Sequence, residues 1–214
     1  MTIKVLIVDD HSIVVQGLKN FLAMDRELEV VGTASGGQEA LELAHRLQPQ
    51  VVLLDLLMPG MDGLEVTIRL KQELPGLKVL ILSSVREEKM VVKALEAGAT
   101  GYLLKNMEAN QIQEAIKASL DNQLCLSPEV AEIMAHKPAI HINPSSPELL
   151  TNREKEVLAQ LVQGKANKEI ALALGVSEGT IKSHISSLIA KMGVQSRAQV
   201  AVYAFQVGLT QNFQ

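Results

Sequence analysis

Tryptophan is absent from this 214-residue chain, and two tyrosines and three phenylalanines are its only aromatics. With 47% hydrophobic residues, its core must be built from aliphatic side chains. A single cysteine, Cys125, excludes an intrachain disulfide and a thiolate metal cage. No basic group nearby would lower its pKa, which favours a packing role over a nucleophile's. No apolar run approaches the ~20 residues of a membrane span. No leader-like segment precedes the apolar run Ile3–Val8, so a cytosolic protein is expected. There is no GxGxxG or P-loop to cradle a nucleotide, no internal repeat and no low-complexity tract.

Charge is unevenly spread. The net charge is −4, yet residues 1–122 carry 12 basic and 17 acidic groups, while the stretch from Gly164 onward carries 5 basic and 2 acidic. An acidic front and a locally basic back predict two modules with different partners. The basic excess is compatible with nucleic-acid binding without establishing it.

Against these absences stands the run Val51-Val52-Leu53-Leu54-Asp55-Leu56-Leu57-Met58-Pro59-Gly60-Met61-Asp62-Gly63. Four aliphatics in a row predict a strand buried on both faces, as in a parallel sheet. Asp55 then sits at the strand's C-terminal edge, where open α/β sheets place ligands. Asp9 and Asp10 end Val5-Leu6-Ile7-Val8 in the same way. Three converging carboxylates repel one another, so the cluster calls for a cation or a raised pKa. Oxygen-only ligands suit a hard cation such as Mg²⁺. An Asp carboxylate can also be the nucleophile in phosphoryl transfer, given a cation and a hydroxyl nearby. Ser83 and Lys105 end two further apolar runs. Alone, each would read as a strand-end turn or a solvated charge; four strand ends carrying Asp-Asp, Asp, Ser and Lys in order are far harder to reach by chance.

The spacing predicts strands over 3–8, 29–34, 50–55, 77–83 and 100–104, alternating with helices over 12–24, 37–47, 63–74, 87–97 and 108–122. That is a five-stranded, doubly wound parallel α/β domain over 1–122. Residues 123–147 read as a linker, with a short helix at 128–135 and three prolines between His136 and Pro147. His136 and His141 are expected to be solvated rather than metal-bound. Residues 148–214 read as a small all-α domain. Thr151 and Glu154 form a capping box opening a helix to about 163. Helices 167–174 and 178–192 follow, separated by Gly175-Val176-Ser177, and a last one spans 197–207. The middle pair has the helix-turn-helix layout.

The acidic pair, the Asp-x-x-Met-Pro-x-x-Asp-Gly run, the hydroxyl and the Lys make the first ~122 residues resemble a two-component receiver domain. The resemblance implies that Asp55 accepts a phosphoryl group from a sensor histidine kinase. It also implies Mg²⁺ bound by Asp10 and Asp55, by Asp9 largely through water, and by the Leu57 backbone carbonyl. Ser83 and Lys105 would contact the phosphoryl oxygens, with Tyr102 as the switch aromatic. Two positions depart from the family pattern. Asn106 replaces the usual Pro, which follows a cis peptide, so the loop geometry is open; Ser83 replaces the commoner Thr but keeps its hydrogen bond.

On the helix 178–192, Ile181, Ile185, Leu188 and Ile189 form an apolar stripe. Lys182, Ser183 and Ser186 lie opposite, with His184, Ser187 and Lys191 nearby. Short hydroxyls with flanking cations suit a major groove, although an ordinary solvated face is equally consistent with that chemistry. The stretches Leu150–Leu158, Asn167-Lys168-Glu169-Ile170-Ala171 and Thr180-Ile181-Lys182-Ser183-His184-Ile185 resemble the LuxR-type helix-turn-helix. The whole chain is thus similar to NarL/FixJ-type response regulators, and Tyr203-Ala204-Phe205-Gln206 is similar to the LiaR/VraR branch. The resemblance implies a recognition helix at 178–191, reading double-stranded DNA, with an inverted-repeat operator expected. Lys168 and Lys191 would meet phosphates, and Thr180, Lys182, Ser183, His184 and Ser186 would complete the DNA-binding set.

The resemblance makes the last helix a dimer contact. It offers two apolar stripes, Val200, Tyr203, Ala204 and Val207, and Ala198, Val202, Phe205 and Leu209; one should serve the core and the other a phosphorylation-dependent homodimer. RNA polymerase is a further candidate partner. The resulting expectation is a non-enzymatic, phosphorylation-controlled transcription regulator. The competing readings are a Mg²⁺-dependent phosphohydrolase with an Asp nucleophile and a protein-binding regulator independent of phosphorylation.

Overall fold

The computed structural model of the protein describes residues 2–121, 123–135, 150–194 and 196–206. Two compact units divide between Ser127 and Pro128.

The first unit alternates strand and helix as expected: β1 (Ile3–Val8), α1 (Ser12–Leu22), β2 (Leu28–Ala34), α2 (Gly37–Leu47), β3 (Val51–Leu54), α3 (Gly63–Glu73), β4 (Lys78–Ser83), α4 (Glu88–Glu96), β5 (Gly101–Leu104) and α5 (Ala109–Leu120). All pairings are parallel, in the order β2-β1-β3-β4-β5 and then β6 (Cys125–Leu126). Every residue of β3 and β5 is buried, which is why those stretches are unbroken apolar runs rather than alternating ones. One sheet face packs Val5, Ile7, Leu53, Leu80 and Leu103 with Leu18 and Leu22 of α1 and Ile112 and Ile116 of α5. At the other edge, Leu6 meets Leu43 and Leu47 of α2 around Gly32.

The sheet has a sixth strand, β6 (Cys125–Leu126), where the sequence reading places linker. Two residues are too short a run for a periodicity signal. Their position depends instead on Gly101, where a Cβ would stand 2.2 Å from the Cys125 carbonyl oxygen; the missing side chain lets the last strand approach β5. Cys125 is buried, its thiol donating to the Ala115 carbonyl, as a packing residue should. The expected short helix follows as α6 (Pro128–Ala135). Residues 136–149, with His136 and His141, lie outside the described residues.

The second unit begins with α6 and contains α7 (Asn152–Val162), α8 (Asn167–Leu174), α9 (Glu178–Met192) and α10 (Arg197–Gln206). Thr151 caps α7, its hydroxyl accepting from Glu154 N, and Ser177 caps α9 in the same way through Thr180 N. Gly175 ends α8 in the left-handed conformation at φ 65°, which reverses the chain tightly enough to seat α9 beside it. Val157, Leu158, Leu161, Ile170, Ile181 and Leu188 form its buried apolar interior. No described helix is long and apolar enough to cross a membrane.

Candidate functional sites

β1 and β3 are neighbours at the centre of the sheet, with β2 outside one and β4 outside the other. The strand order therefore reverses between them, which opens a crevice beyond their C-terminal ends. Asp9 and Asp55 stand there, 3% and 4% exposed, with Asp10 exposed at the rim. The Asp55 amide donates to the Val8 carbonyl (2.8 Å), which fixes the two strand ends against each other. Gly63, the first residue of α3, lies directly against this point: a Cβ there would stand 2.4 Å from the Asp55 carbonyl oxygen. Asp62 faces away, capping α3 through the Glu65 amide.

Lys105 follows β5 and reaches back across the sheet edge. Its Nζ lies 2.7 Å from Asp9 Oδ2 and 2.8 Å from Asp55 Oδ2. Burial works against its charge, but the Asp55 and Asp9 carboxylates outweigh burial and hold the ammonium above its usual pKa. Ser83 is buried at the end of β4, its hydroxyl accepting from Val85 N (3.2 Å). Fully buried Tyr102 donates to the Val85 carbonyl (2.9 Å). Burial pushes its phenol up, against a hydrogen bond from Ser83 and with the charges of Asp55 and Glu87. Ser83 and Tyr102 therefore hold the same residue of the loop after β4. The Leu57 side chain is exposed and its amide points to Asp55 Oδ1 at 3.4 Å. No peptide bond among the described residues is cis, so Asn106 follows Lys105 through a trans bond.

His11, not among the expected site residues, belongs to this constellation. Its Nδ1 lies 2.8 Å from Asp10 Oδ1 and 3.2 Å from Asp9 Oδ1, and its amide donates to Asp9 Oδ1. The available signal was adjacency to the acidic pair. One ligand atom each from Asp9, Asp10, His11 and Asp55 falls within 4.8 Å of the others. Three carboxylates facing one ammonium leave an excess of two negative charges. A divalent cation with oxygen ligands matches that excess, so the three carboxylates of the set, without the His11 nitrogen, fit Mg²⁺.

In the second unit, Lys182, Ser183 and Ser186 are exposed on one side of α9, and Lys168 is exposed on α8. The two hydroxyls donate to carbonyls four residues back, Gly179 and Lys182. Three expected members of this set sit differently. The Thr180 hydroxyl is paired with Ser177, His184 is half-buried, and Lys191 is bound to Glu154. Lys191 is thus exposed and at the same time ion-paired with a buried carboxylate.

Ala198, Val200 and Ala204 from the expected dimer set are buried within the single chain, and so are Ala201 and Val202. The side chain of Phe205 lies outside the described residues. Tyr203 is half-buried, and Val207 and Leu209 lie outside the described residues. Packing of a ten-residue helix on two neighbours, α7 and α9, was invisible to a count of stripes. Arg197, unforeseen, is buried and donates to Asn167 Oδ1 (2.6 Å) and the Lys165 carbonyl, tying α10 to the start of α8.

Residues 5–117 match the family model of the response regulator receiver domain, and residues 148–204 match that of the luxR family of bacterial regulatory proteins. The response regulator protein VraR of Staphylococcus aureus is 41% identical over 211 residues, covering 99% of this chain and all of VraR. The crystal structure of ChrA, a response regulator in a heme-sensing two-component system, is 34% identical over 97% of this chain and 98% of its own, with a TM-score of 0.54. A structure of two RcsB dimers bound to two parallel DNAs is 25% identical over 97% of this chain and 100% of its own, with a TM-score of 0.60.

Proposed function

The chain belongs to the response regulators with a LuxR-type DNA-binding domain, and from that premise we propose that phosphorylation of Asp55 controls how α9 engages DNA. The single observation that carries this reading is Lys105 bridging the buried carboxylates of Asp9 and Asp55 at the sheet's switch point.

A carboxylate oxygen of Asp55 forms the new P–O bond while the P–N bond of a kinase phosphohistidine breaks, leaving an acyl phosphate and a neutral imidazole on the kinase. Asp10, Asp55 and the Leu57 carbonyl, with Asp9 largely through water, would hold Mg²⁺, which when bound would neutralise charge on the transferred group. Lys105 is already placed to accompany that group, because its ammonium lies on Asp55 Oδ2. Ser83 accepts from Val85 N and shares a hydrogen bond with the Tyr102 phenol; the proton of that second bond is the one it would redirect to a phosphoryl oxygen. If the Ser83 side chain rotates toward the phosphoryl group, its oxygen leaves Val85 N and Tyr102 keeps the other anchor of that residue. That shared residue is where the charge change passes into the loop before α4.

In the second unit, Lys182, Ser183 and Ser186 read base edges while Lys168 meets backbone phosphate. Two copies on an inverted repeat would present two such helices about one DNA turn apart, an arrangement supported by the RcsB dimers on DNA. The protein would act in the cytoplasm, between a sensor kinase and the transcription machinery. Intact-mass measurement after incubation with acetyl phosphate and Mg²⁺, followed by DNA titration of the same sample, tests the reading. One added phosphoryl group and tighter specific binding are expected; label without any change in DNA binding would contradict it.

A further inference from the structure

We infer that Glu154 is a positioning residue for DNA reading: through Ser187 and Lys191 it sets the rotation of α9 about its own axis, and so which base pairs Lys182, Ser183 and Ser186 reach. The inference rests on the reading of α9 as the recognition helix.

Glu154 lies in the first turn of α7, 3% exposed, with both carboxylate oxygens committed. Oε1 accepts from Ser187 Oγ (2.7 Å). Oε2 accepts from Lys191 Nζ (2.7 Å), Thr151 N (2.7 Å) and Thr151 Oγ1 (2.9 Å). A capping box needs only the Thr151 contacts. The contacts to Ser187 and Lys191 add a cross-link to another helix, 33 and 37 residues away in sequence. Burial pushes this carboxyl up, yet Lys191, Ser187 and Thr151 more than reverse it and hold it at about 2. The charge is therefore kept inside the unit and fully partnered.

Geometry gives the clamp its consequence. At about 100° per residue, Ile181, Ile185 and Leu188 cluster on one narrow stripe of α9. Ser187 and Lys191 fall on one flank of it, while Lys182 and then Ser186 and Ser183 fall on the other flank and beyond. Apolar packing along three residues is non-directional and tolerates rolling; hydrogen bonds to a fixed carboxylate do not. A roll of about 20° on a helix of roughly 5–6 Å radius moves a side-chain tip by about 2 Å, enough to break a hydrogen bond to a base edge. Contacts to phosphates, made by flexible lysines, survive such a roll. Loss of the clamp should therefore reduce discrimination between DNA sequences more than overall affinity.

The test uses the full-length chain after acetyl phosphate treatment, titrated with a DNA site obtained by selection from random sequence and with a scrambled duplex, across a range of salt. Glu154→Gln, Lys191→Met and Ser187→Ala are each expected to lower the ratio of selected to scrambled affinity about tenfold, leaving the salt slope within about half a unit of the unmodified chain. Lys191→Arg should restore most of the ratio. Ser187→Ala, the mildest change, carries the same expectation if the charge variants fail to fold. A Lys191→Met slope lower by about one unit, with all sequences weakened alike, would make Lys191 a phosphate contact and overturn the inference. A lowered melting temperature with an unchanged ratio would reduce Glu154 to a structural cap and overturn it too. If the unmodified chain itself shows no preference among sequences, the reading of α9 fails first and takes the inference with it.

Discussion

The Lys105 ammonium lies 2.8 Å from Asp55 Oδ2, an ion pair spanning 50 residues of sequence between partners that are 17% and 4% exposed. It shares the same ammonium with Asp9, so one cation neutralises half of a two-carboxylate site.

Removing that cation leaves Asp9 and Asp55 facing each other with no counter-charge. Lys105→Met should destabilise the first unit by roughly 1–3 kcal/mol in metal-free buffer, less than for a fully buried pair because Lys105 keeps some solvent contact. Added Mg²⁺ should then raise the unfolding midpoint more in the variant than in the unmodified chain. Urea titrations with and without Mg²⁺ check this; equal Mg²⁺ responses would show that lysine and metal do not share a site.

Gly63 is the tightest point beneath the acidic cluster. A methyl group there would press on the backbone of Asp55 and Leu56, not on a flexible side-chain end. Gly63→Ala should cost roughly 1–3 kcal/mol and slow phosphoryl labelling of Asp55, because relief requires moving the strand end itself. Gly60 offers the comparison: its φ is 81° but open space surrounds it. Gly60→Ala should be strained by about 1 kcal/mol with labelling largely intact.

Much of this was legible from sequence because it depended on local pattern. Unbroken aliphatic runs marked strands buried on both faces, and Asp9, Asp10, Asp55, Ser83 and Lys105 each stood at the end of one. Parallel packing then brings strand ends together without further information. The cap residues Thr151 and Ser177 were readable for the same reason. What escaped reading were contacts between distant segments. β6 depends on a missing side chain at Gly101, Glu154 reaches two residues of another helix, and Arg197 reaches back to α8. The burial of Ala198, Val200 and Ala204 likewise escaped reading, because exposure is a property of the packed unit, not of the helix alone.

The Glu154 carboxyl is held at about 2 in the folded chain against 4.5 for a free glutamate. A depressed folded pKa stabilises above the unfolded value, so this contribution is complete above about pH 4.5 and is lost as pH falls toward about 2. Its size is on the order of 1–3 kcal/mol, since the partner Lys191 is itself a third exposed to solvent. Glu154→Gln should be less stable than the unmodified chain near pH 6, and the gap should close as pH is lowered through that window. Urea unfolding at intervals from pH 6 to pH 2 measures the gap; a constant gap would exclude titration of Glu154 as its source.

Lys168 and Lys182 should divide the work of DNA binding. Lys168→Ala should weaken all sequences alike and flatten the salt dependence by about one unit. Lys182→Ala should cost roughly 1–3 kcal/mol at particular base pairs. Titrations against a panel of single-base variants of a selected site separate the two. Unaltered sequence preference in Lys182→Ala would contradict its role as a base reader.

The most direct measurement is intact mass after acetyl phosphate and Mg²⁺, paired with DNA affinity on the same samples, for the unmodified chain, Asp55→Asn and Asp62→Asn. The unmodified chain and Asp62→Asn should each gain one phosphoryl group and bind a selected DNA site more tightly for it, while Asp55→Asn should gain none and show no change. Full labelling of Asp55→Asn, or equal DNA affinity of the unmodified chain with and without its phosphoryl group, would contradict control of DNA binding through Asp55.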